Sequence, residues 1–186
     1  MIAPSGVWTV DATRSRVEFS VKHMMLATLH GRFGRFEGTL EVSPDGVVSA
    51  AGSVDAASVD TNDAVRDAHL CSSADFFDVE RYPQIGFCST RIDERGAGLL
   101  RVVGELTMRG VTREIVLDGQ LHSGAAGTAE GSRPALTLRG KLNRREFGLT
   151  WNQALDSGGA LIGNTVKIVL EISMVEIGVA STRALA

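Results

Sequence analysis

His23 is the side chain in this sequence best placed for acid–base chemistry. Val17, Phe19, Val21 and His23 recur at every second position, so in a strand all four point to one face. An imidazole on that face could take or give a proton near neutral pH. The competing reading is a core histidine bonded to backbone or a neighbour. That reading carries more weight unless a carboxylate or hydroxyl lies within hydrogen-bond reach. The other three of the four histidines, His30, His69 and His122, are scattered singly. HxxxH and HExxH spacings do not occur, and no metal site is expected.

Arg66 and His69 stand in a short charged stretch beside Asp63 and Asp67. Two readings of Arg66 stay open. It is either a surface ion pair with Asp63, which is worth little, or a cation at a cavity mouth facing a ligand's head group. The two cysteines, Cys71 and Cys88, make no disulfide framework in a chain of this size and are read as free thiols. GxSxG, GxxxxGK[ST] and a GxGxxG between strand and helix are all absent. No catalytic residue and no cofactor is expected.

These residues need elements to hold them, and the stretch Asp60–Phe87 interrupts an otherwise regular pattern. On both sides apolar and polar residues alternate, the mark of half-buried strands. Within it Thr61 or Asn62 can cap a helix, with Asp63 and Asp67 in its early turns. Ser72 or Ser73 can cap a second short turn carrying Phe76 and Phe77. Pro83 marks re-entry into a strand. A lone helical interruption in an all-β chain most simply caps one end of a barrel or sandwich, with the paired phenylalanines as its plug.

The strands themselves follow in order. After the run ending at His23, Thr28 to Val42 carries Phe33, Phe36 and Leu40, broken by Gly31, Gly34 and Gly38. Pro44-Asp45-Gly46 is a turn, and Val47 to about Ala57 is the third strand. Ile85 to Ile92, Leu100 to Met108, and Val111 to Leu121 follow, with Arg109-Gly110 as a tight hairpin. SGAAGTAEGSRP reads as a polar surface loop. Leu136, Leu138 and Leu142 mark the next strand, and Val166, Ile168, Leu170, Ile172 and Met174 the last. About eight long antiparallel strands result, and the glycines within them favour the curvature of a closed barrel over a sandwich.

Composition narrows the function. A chain of 186 residues with 44% hydrophobic and 22% charged residues suits one globular domain spanning residues 1–186. A net charge of −3 argues against non-specific nucleic-acid binding. Apolar runs are too short for a transmembrane segment. The opening MIAPSGVWTVD lacks a basic region followed by an apolar one, so the expected location is cytoplasmic.

With these residues laid out, the chain resembles the YceI-like family, polyisoprenoid-binding proteins with a lipocalin-like barrel. The likeness is carried by WTVDATRSRVEFSVKHM, GRFGRFEGTL, VDAASVDTNDAVRDAHL, SADFFDVERYPQIGFCST, GELTMRGVTREIVLDG, and FGLTWN followed by GGALIGNTVKIVLEI. These stand in order from Trp8 to Ile177. The resemblance implies an eight-stranded antiparallel lipocalin-like β-barrel with a short helical lid. Its apolar tunnel would take the tail of an isoprenoid lipid, often a quinone or polyprenyl phosphate. Family members occur in periplasm and cytosol, and dimers are seen, so a homodimer is allowed. One departure is visible: Cys71-Ser72-Ser73 follows His69-Leu70 where the family often has a basic residue and then Ser.

The expected function is non-enzymatic binding, sequestration or transport of a long apolar lipid. The expected lining is Phe19, Val21, Phe33, Phe36, Phe76, Phe77, Phe87, Leu106, Ile115, Leu138, Phe147, Ile168 and Leu170. His23, Arg66 and His69 are the candidate polar contacts. Two alternatives remain: an enzyme acting on a small amphiphile with His23 as acid or base, and a stress-related protein whose core is filled.

Overall fold

The alternating stretches close on themselves. A computed structural model describes residues 5–24, 26–122, 133–155 and 160–177. Its strand segments, in chain order, are β1 (Gly6–Val10), β2 (Arg16–His23), β3 (Ala27–Phe33), β4 (Phe36–Ser43), β5 (Gly46–Asp55) and β6 (Val59–Asp60). After helix α1 (Ala64–Ser72) come β7 (Gln84–Glu94), β8 (Leu99–Met108), β9 (Val111–His122), β10 (Ala135–Asn143) and β11 (Ile162–Glu176). Residues 123–132, most of the stretch read as a polar loop, lie outside the described residues.

Eleven segments make eight long strands. β1 and β2 are two halves of one strand, since both pair with β11. β3 and β4 are likewise two halves of its neighbour, β3 pairing with β2 and β4 with β1. β6 continues β5 along the same edge. Each long strand is antiparallel to the next through β7, β8, β9 and β10, and β11 returns to β1 and β2. The result is the eight-stranded antiparallel barrel that the alternation predicted.

Three strand ends share a cause. Asp11 ends β1 by accepting from the Thr13 amide at 3.2 Å and its hydroxyl at 2.6 Å. Asp55 ends β5 by accepting from the Ala57 amide at 2.9 Å. Asn143 ends β10 by accepting from the Arg145 amide at 3.2 Å. Each short side chain offers the backbone a turn in place of the ladder. The β8–β9 hairpin is of the tight type expected: Arg109 and Gly110 both take positive φ, at 53° and 71°. Gly119 meets a different demand, because a Cβ there would overlap the Thr137 carbonyl across the ladder.

Helix α1 starts later than the sequence suggested. Asp63 is its cap, accepting from the Arg66 amide at 3.0 Å. Thr61 and Asn62 are otherwise engaged. The Thr61 amide and hydroxyl both donate to the Asp67 carboxylate, at 3.0 and 2.5 Å, and Asn62 adopts a left-handed φ of 59°. Ser73 then caps the following turn through the Asp75 amide at 3.1 Å. At the opposite end of the barrel, inward side chains fill the interior. Trp8 and its partner Leu40, and Leu121 and its partner Leu136, are all buried there with Met174.

The corner between β3 and β4 carries a testable charge pair. Arg35 Nε donates to Asp55 Oδ2 at 2.8 Å, and this hydrogen bond holds the Asp55 carboxyl below its usual range. The unfolded chain therefore binds a proton here before the folded one does, so the contribution is present at neutral pH and lost as pH falls through the lowered value. It is small, because the pair is largely solvated. Asp55→Asn should flatten the acid limb of thermal melts below about pH 4 relative to the parent.

Candidate ligand cavity

Inward positions of the eight strands enclose a cavity of about 240 Å³. Its wall is built by alternation: Val17 and Phe19 from β2, Leu106 and Met108 from β8, Ile115 and Leu117 from β9, and every second residue of β11 from Val166 to Met174. Glu18, Glu37 and Ser53 touch it only from outward-facing positions, and Glu37 accepts from the Ser53 hydroxyl at 3.1 Å on the outer surface. Among the described residues, no acid–base pair faces the interior. The chemistry such a wall supports is removal of apolar surface from water, at roughly 0.8 kcal/mol per methylene.

Phe19, Phe33, Phe36, Phe77, Phe87, Leu106, Ile115, Leu138, Ile168 and Leu170 lie on that wall. The other expected residues do not. Val21 sits one step beyond it on β2, opposite Leu29 and Val166. His23 lies further still, opposite Ala27 and Ile162, because β2 runs past the cavity. Phe76 and Phe147 are buried in the core that covers the helical end, at 9% and 1% exposure. The Phe76 ring packs on Trp151 at 5.6 Å and on His69 at 5.4 Å. His69 therefore belongs to the cover and not to the wall.

Arg66 turns back on its own loop. Its Nε donates to the Thr61 hydroxyl at 2.7 Å and another nitrogen to the Thr61 carbonyl at 2.9 Å. Asp63 lies 3.5 Å away, the local ion pair of the blander reading. Cys71 and Cys88 are both free thiols. Burial, and then the charges of Asp67 and Asp55, push the Cys71 thiol up, which disfavours the reactive thiolate. Among the described residues, no cluster of His, Cys, Asp or Glu could hold a metal ion.

The residue that sequence reasoning missed is Arg144. It is 4% exposed and donates to four backbone carbonyls. These are Leu149 at 2.6 Å, Trp151 and Gly163 at 2.9 Å, and Ile162 at 3.3 Å. One buried cation thus fastens the FGLTWN stretch to the start of β11. Burial, with a smaller push from Arg145, lowers its pKa, but a guanidinium starts so high that it stays charged. Asn152 adds two bonds to the Ile162 backbone, at 2.6 and 2.9 Å. Arg109 bridges the two halves of the cover, donating to the Gly148 carbonyl at 2.7 Å and also to the Ala74 carbonyl.

Comparison with known proteins places this geometry. A family model described as the YceI-like domain matches residues 8–174. A UPF0312 protein of Staphylococcus aureus (strain USA300) is 31% identical over 163 residues, covering 86% of this chain and 92% of that protein. Burkholderia cenocepacia BcnA shares the fold with a TM-score of 0.74 at 23% identity, over 88% of this chain and 98% of that one. A polyisoprenoid binding domain from Saccharophagus degradans, implicated in plant cell wall breakdown, aligns with a TM-score of 0.67 at 17% identity. That alignment covers 91% of this chain and 98% of the domain.

If Arg144 fastens the cover, Arg144→Met leaves its carbonyl acceptors without donors. The expected loss is about 3 kcal/mol or more of unfolding free energy. Arg145→Met, an exposed neighbour, should stay within about 0.5 kcal/mol. Urea midpoints for both variants at equal slope are the measurement; equal midpoints would remove the staple.

Proposed function

The chain belongs to the YceI-like family, and on that premise we propose that it binds an isoprenoid lipid and holds its tail inside the barrel. The observation that carries this reading is the cavity itself, apolar around its whole wall and covered at one end by the helical segment. A fold neighbour being a polyisoprenoid binding domain supports the class of ligand. No helix among the described residues is long and apolar enough to cross a membrane. A carrier or store of the lipid is the role such a site serves best.

An open interior weighs against the filled-core alternative. The position of His23, past the cavity on β2, weighs against its service as acid or base for a bound substrate. Turnover of ester, phosphate or amide substrates by the purified protein should accordingly be no different in His23→Ala. A loss of turnover in that variant would favour the enzyme.

Mass spectrometry of an organic extract of the purified protein is the direct test, and an isoprenoid, quinone or fatty acyl species is expected. A clean extract from a host that makes these lipids would count against the reading. The cover supplies a second test. Replacing Phe76 and Phe77 together with alanine removes one ring packed in the cover core and one that reaches the wall beside Phe33 at 5.7 Å. The double variant should lose several kcal/mol of stability and release its ligand faster. Substitution of exposed Arg95, in the β7–β8 turn, should do neither.

A further inference from the structure

The inner wall of the barrel is lined partly by side chains laid flat on glycines. The Phe19 ring covers Gly31, its cross-strand partner; the Leu117 side chain covers Gly140, also its partner; and the Phe87 ring covers Gly104. In each case a Cβ on the glycine would overlap the side chain above it. Gly104 and Gly140 also have a backbone carbonyl close to that point, from Cys88 at 2.5 Å and Val116 at 2.9 Å. Those two glycines are therefore required by the ladder itself. Gly31 differs. The three atoms nearest a Cβ there all belong to the Phe19 ring. No backbone atom comes nearer to that point than the ring atoms, at 2.3 to 2.9 Å.

We infer that Gly31 is a parking place for the Phe19 ring, and that this pair sets the length of apolar chain the barrel admits. The inference rests on the binding reading above. Phe19 points inward, so a ring pushed off Gly31 cannot leave through the wall. It stays among cavity-lining residues, beside Phe33 at 5.4 Å, which in turn meets Phe77 of the cover at 5.7 Å. A cavity of about 240 Å³ has little room to spare for a displaced phenyl ring. Long chains are excluded first, because a short chain can stop on one side of the displaced ring and a long one must pass it.

The experiment uses the full chain, stripped of lipid, with a series of all-trans prenols from geraniol to solanesol. Gel filtration reads the longest prenol that co-elutes. Gly31→Ala should shift that limit to a shorter prenol and cut retention at the parental limit about tenfold. Adding Phe19→Leu should restore it, since the smaller side chain clears the lumen. If Gly31→Ala does not fold, Phe19→Trp leaves the backbone alone and overfills the same place, with the same shortening expected. An unchanged limit in these variants, or no recovery with Phe19→Leu, overturns the inference while the binding reading stands. A parent protein that retains no prenol overturns both.

Discussion

A barrel has no free edge only where its last strand finds its first, and here that closure falls on a kink. β11 must pair with β1 near one end and with β2 along most of its length, yet β1 and β2 are separated by the turn at Ala12–Arg14. Ladder pairing fails across such a turn, which would leave the Ser173 backbone unpaired. Two groups from the kink satisfy it. The Asp11 amide donates to the Ser173 carbonyl at 2.9 Å, and the Ser173 amide donates to the Ser15 hydroxyl at 2.9 Å. The Ser15 hydroxyl in turn donates to the Asp11 carbonyl at 2.7 Å. With this splice every neighbour in the ring is held, and the inward faces acquire a fixed register.

Register is what turns alternation into a cavity. Once β2 and β11 align Phe19 with Ile168 and Val17 with Leu170, the same side chains that would fill a sandwich point across an enclosed space. Small inward residues leave part of that space unfilled. Gly38 and Gly52 are direct cross-strand partners and present no side chain to the interior. The closed end, by contrast, is packed with Trp8, Leu40 and Met174. Cavity and core are thus a difference of side-chain size along one continuous inner surface.

Much of this was legible in the sequence. Period-two alternation located the long strands, and the Arg109-Gly110 hairpin was visible as a tight turn. The helical interruption was found, though its cap was misplaced because Thr61 serves Asp67 and not the helix. Strand breaks at Asp11 and Asp55 carried a faint signal, a short acidic residue before small residues, that alternation alone does not detect. The aromatic wall residues were found by phase, but phase does not say how far along a strand the cavity extends. Val21 and His23 therefore share a face with Phe19 and still lie outside it. Arg144 was illegible for a deeper reason. No residue type or spacing near Arg144 marks it as buried, and only the converging carbonyls of Leu149, Trp151, Ile162 and Gly163 make a buried cation tolerable there.

Closure also bears on how the chain comes to be folded. Trp8 pairs with Glu176 and Arg16 with Glu171, so the seam joins partners from opposite ends of the sequence. During synthesis the strands from β1 to β10 emerge with one side of the first strand still without its neighbour, an exposed template for pairing with other chains. Locally built hairpins can form early, but the ring gains its cooperative stability only when β11 arrives. Until β11 is in place the sheet keeps an open edge, and that final strand is the clasp that closes it.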